Sequence, residues 1–453
     1  MHKISVISAL ASICYLLACT PDADSSDAES TLGTGPGTGP PSSEGLHIAD
    51  SLVASWVSME AVPGAVLRVT LAGQPVLEAA YGFAQLADFG SGQYPPVFDD
   101  SSSASSLRLL DEPLGMTITT VFDLASVTKV MATTMAIMLL VDRGSIDLEA
   151  PASRYLSDFT GDGKSAITIT HLLTHRSGLE QWKPTYYHAA DAEEAYAYIR
   201  DLPLGWPVGE GRHYSDLGFM LLGRIVETVS GLPLDQFVAN QVYDPLGLKA
   251  TGYRRATDSR GRGPGNGALL RHPVGSATPD GVFAATSHGN PFERRMVYDS
   301  AFGYSIAGDP SSWDAWRRYT LVGEVNDGNA FHAFGGVAGH AGLFSTAREL
   351  GVLLQMLLDG GAFPGGRFVS QEIVARFLTT TGESQALGWQ TPDDAPVGSF
   401  VHTGFTGTFV LGVPELGLAV VLLTNRQNDG VNASGSYPDV GPLQRAVLQA
   451  LTR

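Results

Sequence analysis

The chain has 453 residues, enough for one large domain or about two to three ordinary ones, and its 44% hydrophobic content with 53 glycines describes a globular protein with many turns, not a disordered one. A formal charge of −18 repels phosphate backbones, which excludes nucleic acid as a partner class and suits solubility outside the cytoplasm. The two cysteines, Cys14 and Cys19, both lie near the N-terminus, so a mature chain that starts at Cys19 and carries lipid there holds no disulfide and no thiol for catalysis or metal binding.

Taken in chain order, "MHKISVISALASICYLLACTP" has a basic start at Lys3 and an apolar run from Ile4 to Ala18. The run is too short for a typical membrane span and has the layout of an export signal. Its end, "LLAC", resembles the lipobox of bacterial lipoproteins, which implies removal of residues 1–18 and lipidation of Cys19 as the first mature residue. The expected location is then the bacterial cell envelope, lipid-anchored to a membrane and facing the periplasm or exterior. A plain signal peptide cut elsewhere, or an uncleaved anchor, is the alternative. Residues 19–45 are rich in Gly, Pro, Ser and Thr and read as a flexible tether with a reach of roughly 30 Å.

The folded region, 46–453, opens with a helical pattern over Leu46–Met59. Two strand-like runs follow around a turn at Ala72–Gln74, and a Ser/Asp-rich stretch, Phe89–Glu112, reads as an insertion. From about Leu124 to Leu246 the pattern is mostly helical. A second insertion, Arg254–His288, is rich in Gly, Pro and Arg. Strands return in "FVHTGFTGTFVLGV" and "LGLAVVLLTN", and a helix over Val440–Leu451 closes the chain. Strands at both ends bracketing a helical middle predict an α/β (α+β) fold. One antiparallel sheet would draw on about 46–123 and 380–453, flanked by helices, with an inserted helical region over about 124–379.

Within "LASVTKVMATTMAIMLLVDRG", Ser126 and Lys129 share a helix face. The serine suits the first turn as a cap. A lysine in an apolar wall at a helix start is pushed towards its neutral form, which could take the serine proton. In "HYSDLGFMLLGRIVE", Tyr214 can pass a proton and Asp216 can hold a cation such as Lys129, or simply cap the helix. "HTGFTGT", from His402 to Thr408, has the small residues of a strand that a ligand backbone approaches closely.

Other motifs argue for less. His171 and His175 in "HLLTH" share a helix face, yet the glutamate of a zinc motif is absent, so no metal site is expected and the pair is read as helix packing. No helix start follows Ser305 in "GYSIAG", which argues against a nucleophile elbow. "GGVAGHAG" lacks the Gly-Lys-Ser/Thr of a phosphate loop, and its end reads as a helix start with Thr346 and Glu349 as a capping box. No cofactor is implied.

The order Ser-x-x-Lys, Tyr-x-Asp, His-Thr-Gly resembles the serine β-lactamase and penicillin-binding-protein superfamily, whose motifs are Ser-x-x-Lys, Tyr-x-Asn and Lys-Thr-Gly. It looks most like the class C β-lactamase branch with its D-alanyl-D-alanine carboxypeptidase and esterase relatives. "ITITHLLTHRSGL" and "GGVAGHAGLFSTARELGVLLQMLLDGG" are also similar to family stretches. The resemblance implies Ser126 as nucleophile, Lys129 as its base and Tyr214 as the proton relay. It puts His402, Thr403, Gly404 and Phe405 along the substrate, with His402 near its carboxylate. The N–H groups of Ser126 and Phe405 would form the oxyanion hole. Two departures stand out. Asp216 replaces asparagine, which favours a charged Lys129, and His402 replaces lysine, which leaves a weaker cation. The implied activity is a serine hydrolase acting through an acyl-enzyme on ester or amide substrates, D-alanyl peptides of the cell wall first. The alternatives are a small-molecule carboxylesterase or β-lactamase of the same fold, and a non-catalytic envelope lipoprotein that binds muropeptides.

Overall fold

The computed structural model describes residues 39–89, 107–255, 281–299, 304, 306, 308–432 and 435–453. Ser305, Cys14, Cys19 and the export segment lie outside the described residues.

Alternation of side chains along the strands decides the architecture. The strands β1 (Gly64–Leu71), β2 (Gln74–Phe89), β3 (Leu107–Gly115), β4 (Phe400–Gly404), β5 (Thr408–Val413) and β6 (Leu418–Thr424) form one antiparallel sheet in the order β4-β5-β6-β1-β2-β3. Both chain ends therefore build it, as the sequence predicts. In β1, Ala65, Leu67 and Val69 point to one face, and Val66 to the other; in β6, Leu418, Val420 and Leu422 oppose Ala419, Val421 and Leu423. Both faces are covered, which is why every residue from Leu418 to Leu423 is apolar.

The first face packs on the terminal helices α1 (Ser43–Ser58) and α6 (Gly441–Thr452) through Ala49, Val53, Leu443, Val447 and Leu451. The second packs on the inserted region, which includes α2 (Met135–Asp142), α3 (Asp216–Ser230), α4 (Pro291–Tyr298) and α5 (Ala347–Leu358). α5 lies directly on β1, β5 and β6.

Three expectations change. The capping box expected at Thr346 is only half formed: Thr346 accepts from the Glu349 N–H at 3.3 Å, but the Glu349 carboxylate turns away to accept from the N–H groups of Lys249 and Ala250. The inserted region is not wholly helical, since Phe122–Asp123, Gly252–Tyr253 and Leu343–Ser345 pair as a small sheet. The ends of both suspected insertions are ordered strands: Leu107–Gly115 pairs with β2, and Ala285–His288 pairs with Thr320–Val322. Their short alternations were obscured by the polar composition around them.

Candidate active site

Ser126 sits where a short strand, Phe122–Asp123, ends against the sheet. The expected continuous helix is instead three pieces: a 3-10 turn over Ala125–Val127, a π-helical turn over Lys129–Thr134, and α2. π-Turns of this kind are frequent at functional sites. Ala125 holds a left-handed backbone, φ 46°, which is unfavourable for a residue with a Cβ. Asp123 holds it there, accepting from the Ala125 N–H at 2.9 Å and the Asn326 N–H at 2.6 Å. Burial pushes the Asp123 carboxyl up to about 6. Ser126 does not cap the helix, contrary to expectation; its Oγ accepts from Lys129 Nζ at 2.9 Å.

Lys129 is fully buried. Its Nζ also donates to the His340 carbonyl at 3.2 Å and lies 2.7 Å from Asp216 Oδ1. Burial alone would lower its pKa; the charge of Asp216, then the neighbouring Tyr214, outweigh that and raise it above the ordinary lysine value. The expected neutral lysine is thus corrected: at rest Lys129 is an ammonium, held so by the carboxylate that replaces the family's asparagine. Asp216 starts α3 but does not cap it; Ser215 does, accepting from the Gly218 N–H.

Tyr214 lies beneath the ammonium, its ring centre 4.9 Å from Lys129 Nζ. Burial raises its phenol, while the charge of Lys129 pulls the other way. Its position is set by His175, whose ring lies 4.4 Å from the tyrosine ring and whose Nδ1 accepts from the Ser215 N–H at 3.0 Å. His171 instead closes a capping box with Thr168. The two histidines therefore have separate structural tasks.

β4 runs along the other side of Ser126. Thr406 and Thr408 donate to the carbonyls of Asp123 and Leu124 at 2.8 and 2.9 Å, tying strand to loop. Gly404 is required by this approach: a Cβ there would meet the Leu124 oxygen at 2.3 Å. Ser126, Tyr214, Asp216, His402, Thr403, Gly404 and Phe405 all line one cavity of about 630 Å³. Lys129 does not line the cavity; it lies behind Ser126, its Nζ 2.9 Å from the serine Oγ.

His402 is not the cation expected from its place in the motif. It is buried, and burial, helped by the charge of Lys129, pushes its imidazole down to about 3. Its Nδ1 lies 2.8 Å from the Thr403 carbonyl, an acceptor, so the neutral ring carries its proton on Nδ1. Activity on carboxylated substrates should therefore show no titration of this ring between about pH 5 and 8. Measured kcat/KM profiles check this: an inflection near the ordinary value of 6.5 that disappears in His402→Gln would contradict it.

Several contributors lie outside the three sequence motifs. The His340 carbonyl has no side-chain signature. The glycines of "GGVAGHAG" do give one: a Cβ on Gly339 would lie 2.0 Å from the Phe219 carbonyl, so small residues let this segment reach α3 and Lys129. His340 is fixed by Asp327, whose Oδ1 lies 2.9 Å from its Nε2. Gln181, Arg212, Glu293, Asn326 and Asp327 line the cavity as well.

A family model described as Beta-lactamase matches residues 49–437. The chain is 31% identical over 404 residues to the N-acetylmuramyl-L-alanine amidase of Bacillus subtilis (strain 168), covering 83% of this chain and 80% of that one. It is 29% identical over 426 residues to a protein of Salmonella agona (strain SL483) named as a putative D-alanyl-D-alanine carboxypeptidase, covering 88% and 86%. Among solved structures, a family VIII carboxylesterase superposes with a TM-score of 0.58 at 18% identity, covering 91% of this chain and 98% of that one.

Proposed function

The chain belongs to the Beta-lactamase family, and from that premise we propose that it hydrolyses an amide or ester of cell-wall peptide origin through a covalent acyl-enzyme on Ser126. The observation that carries this is Lys129, buried with its Nζ 2.9 Å from Ser126 Oγ and 2.7 Å from Asp216. Ser126 Oγ attacks the substrate carbonyl carbon, and the bond to the leaving nitrogen or oxygen breaks. Lys129 can receive the serine proton once it has passed its own to Asp216, so the two share one mobile proton. Tyr214 delivers a proton to the leaving group, and water then cleaves the acyl ester. The N–H groups of Ser126 and Phe405 are the proposed oxyanion donors; each such donor contributes about 3–4 kcal/mol to the transition state.

The test is intact-mass measurement after incubation with a fluorophosphonate and, separately, a penicillin, followed by turnover of an N-acetylmuramyl-L-alanine amide, a D-alanyl-D-alanine peptide and nitrophenyl esters. The relatives named above lend support to the first two substrates. Ligand binding without any covalent adduct would sink the proposal in favour of an idle muropeptide-binding protein, a reading that rests on the Asp216 and His402 departures.

The envelope location is proposed on the "LLAC" segment alone. Exported in a bacterium, the protein should fractionate with membranes, and Cys19→Ala should release it or leave it unprocessed, because stable anchoring takes more than one acyl chain. A soluble mature chain starting beyond Cys19 would contradict it.

A further inference from the structure

Two kinds of side chain share one end of the cavity. The first is aromatic. The Phe292 and Phe405 ring centres lie 5.1 Å apart, and those of Trp182 and Tyr304 lie 5.4 Å apart at 78°. All four residues line the cavity. Phe405 directly follows Gly404, and the Trp182 loop is tied to the ion pair because the Gln181 carbonyl accepts from the Asp216 N–H at 2.9 Å. The aromatic end is thus adjacent to Ser126.

The second kind is polar. Glu293 follows Phe292 on α4 and is only 8% exposed, yet it reaches the cavity wall. Its Oε1 accepts from the Gly328 N–H at 2.7 Å, and its Oε2 is 3.3 Å from the Tyr186 hydroxyl. Burial, with the charge of Asp327, pushes its carboxyl up to about 8, so at neutral pH it is a neutral acid that can donate as well as accept. Burying a carboxyl costs free energy, and a pocket for a hydrocarbon chain has no use for one. A pyranose has apolar C–H faces and a rim of hydroxyls. Aromatic rings edged by a carboxyl and an amide match both.

We propose that this end of the cavity is a saccharide subsite, formed by Trp182, Phe292, Tyr304 and Phe405 with Glu293 and Gln181 at its edge, and that the substrate is an amide whose acyl half carries a pyranose. The proposal rests on Ser126 being the acyl-enzyme nucleophile. It selects the lactyl amide of an N-acetylmuramyl peptide over a bare D-alanyl peptide or a hydrocarbon ester, since only the first brings a sugar to the carbonyl that is attacked.

The test uses the full chain. In Ser126→Ala protein, N-acetylmuramic acid should bind saturably by calorimetry, and Phe405→Leu or Glu293→Gln should each weaken that binding about tenfold. In the wild type, kcat/KM for N-acetylmuramyl-L-alanine should exceed that for lactoyl-L-alanine, which has the same scissile amide without the sugar, by about a hundredfold. This second comparison needs no variant to fold. The subsite is overturned if the free sugar does not bind at millimolar concentration, or if the sugar-free amide or a nitrophenyl butyrate is turned over as well, while a fluorophosphonate still labels Ser126. Loss of that label together with all turnover would overturn the hydrolase reading itself.

Discussion

Ser126→Ala should lower turnover by about 10,000-fold or more and abolish fluorophosphonate labelling, while the protein stays folded. Folding is spared because the serine caps no helix, and the hydrogen bonds it loses are those with Lys129 Nζ and the Tyr214 side chain, both within the site. In the wild type, one tryptic peptide, the one containing Ser126, should gain the mass of the reagent. Lys129→Ala should be nearly as inactive, since a serine hydroxyl without a partner is a poor nucleophile at neutral pH. It should also be much less stable. Removing the ammonium leaves Asp216 partly buried and unpaired, a loss of about 3–5 kcal/mol for such pairs. The two activity losses should not add in the double variant, because the residues act as a unit. Full turnover by Ser126→Ala, or a label on any other serine, would overturn the assignment.

Ser126 and Lys129 were legible because three residues of helical chain place two side chains on one face, and that holds through the 3-10 and π-turns that replace a regular helix. The sheet was legible because "LAVVLL" leaves no polar face for solvent and because Ala65, Leu67, Val69 and Leu71 alternate with Arg68 and Thr70 in "AVLRVTL". Burial was not legible. His402 reads as a cation from its place in the motif. Only the packing of β4 shows that the ring is enclosed and neutral. Backbone partners were hidden for another reason: the His340 carbonyl on Lys129 belongs to a segment recognisable only by glycines that could serve many purposes. Glu293 and Asp327 were missed because nothing in their local sequence says that chain segments so far from Ser126 return to its cavity.

Asp216→Asn should move the activity profile of the enzyme towards acid by at least about one pH unit. Two opposed influences act on Lys129. Burial lowers its pKa, and the Asp216 carboxylate, 2.7 Å away, more than reverses that. Asparagine keeps an acceptor oxygen at the same place and removes the charge, so burial then dominates and the lysine loses its proton nearer to neutrality. With a neutral lysine, Ser126 can be activated without first moving a proton to residue 216, and the rise of kcat/KM with pH should begin earlier. A neutral nitrophenyl ester is the right substrate, since its binding carries no charge that could titrate in parallel. Stability provides an independent check with a defined sign. A lysine whose pKa is raised in the folded state stabilises the fold fully below its ordinary value of 10.5 and loses that contribution as pH rises through the folded value. In the variant the folded pKa is depressed instead, so the folded state resists a proton that the unfolded chain accepts, and stability falls as pH falls. The Tm gap between wild type and Asp216→Asn should therefore be small in alkali and widen towards acid. An unmoved activity profile with a Tm gap independent of pH would mean that Asp216 does not govern the charge of Lys129, and the proton-sharing step proposed for the pair would have to be abandoned.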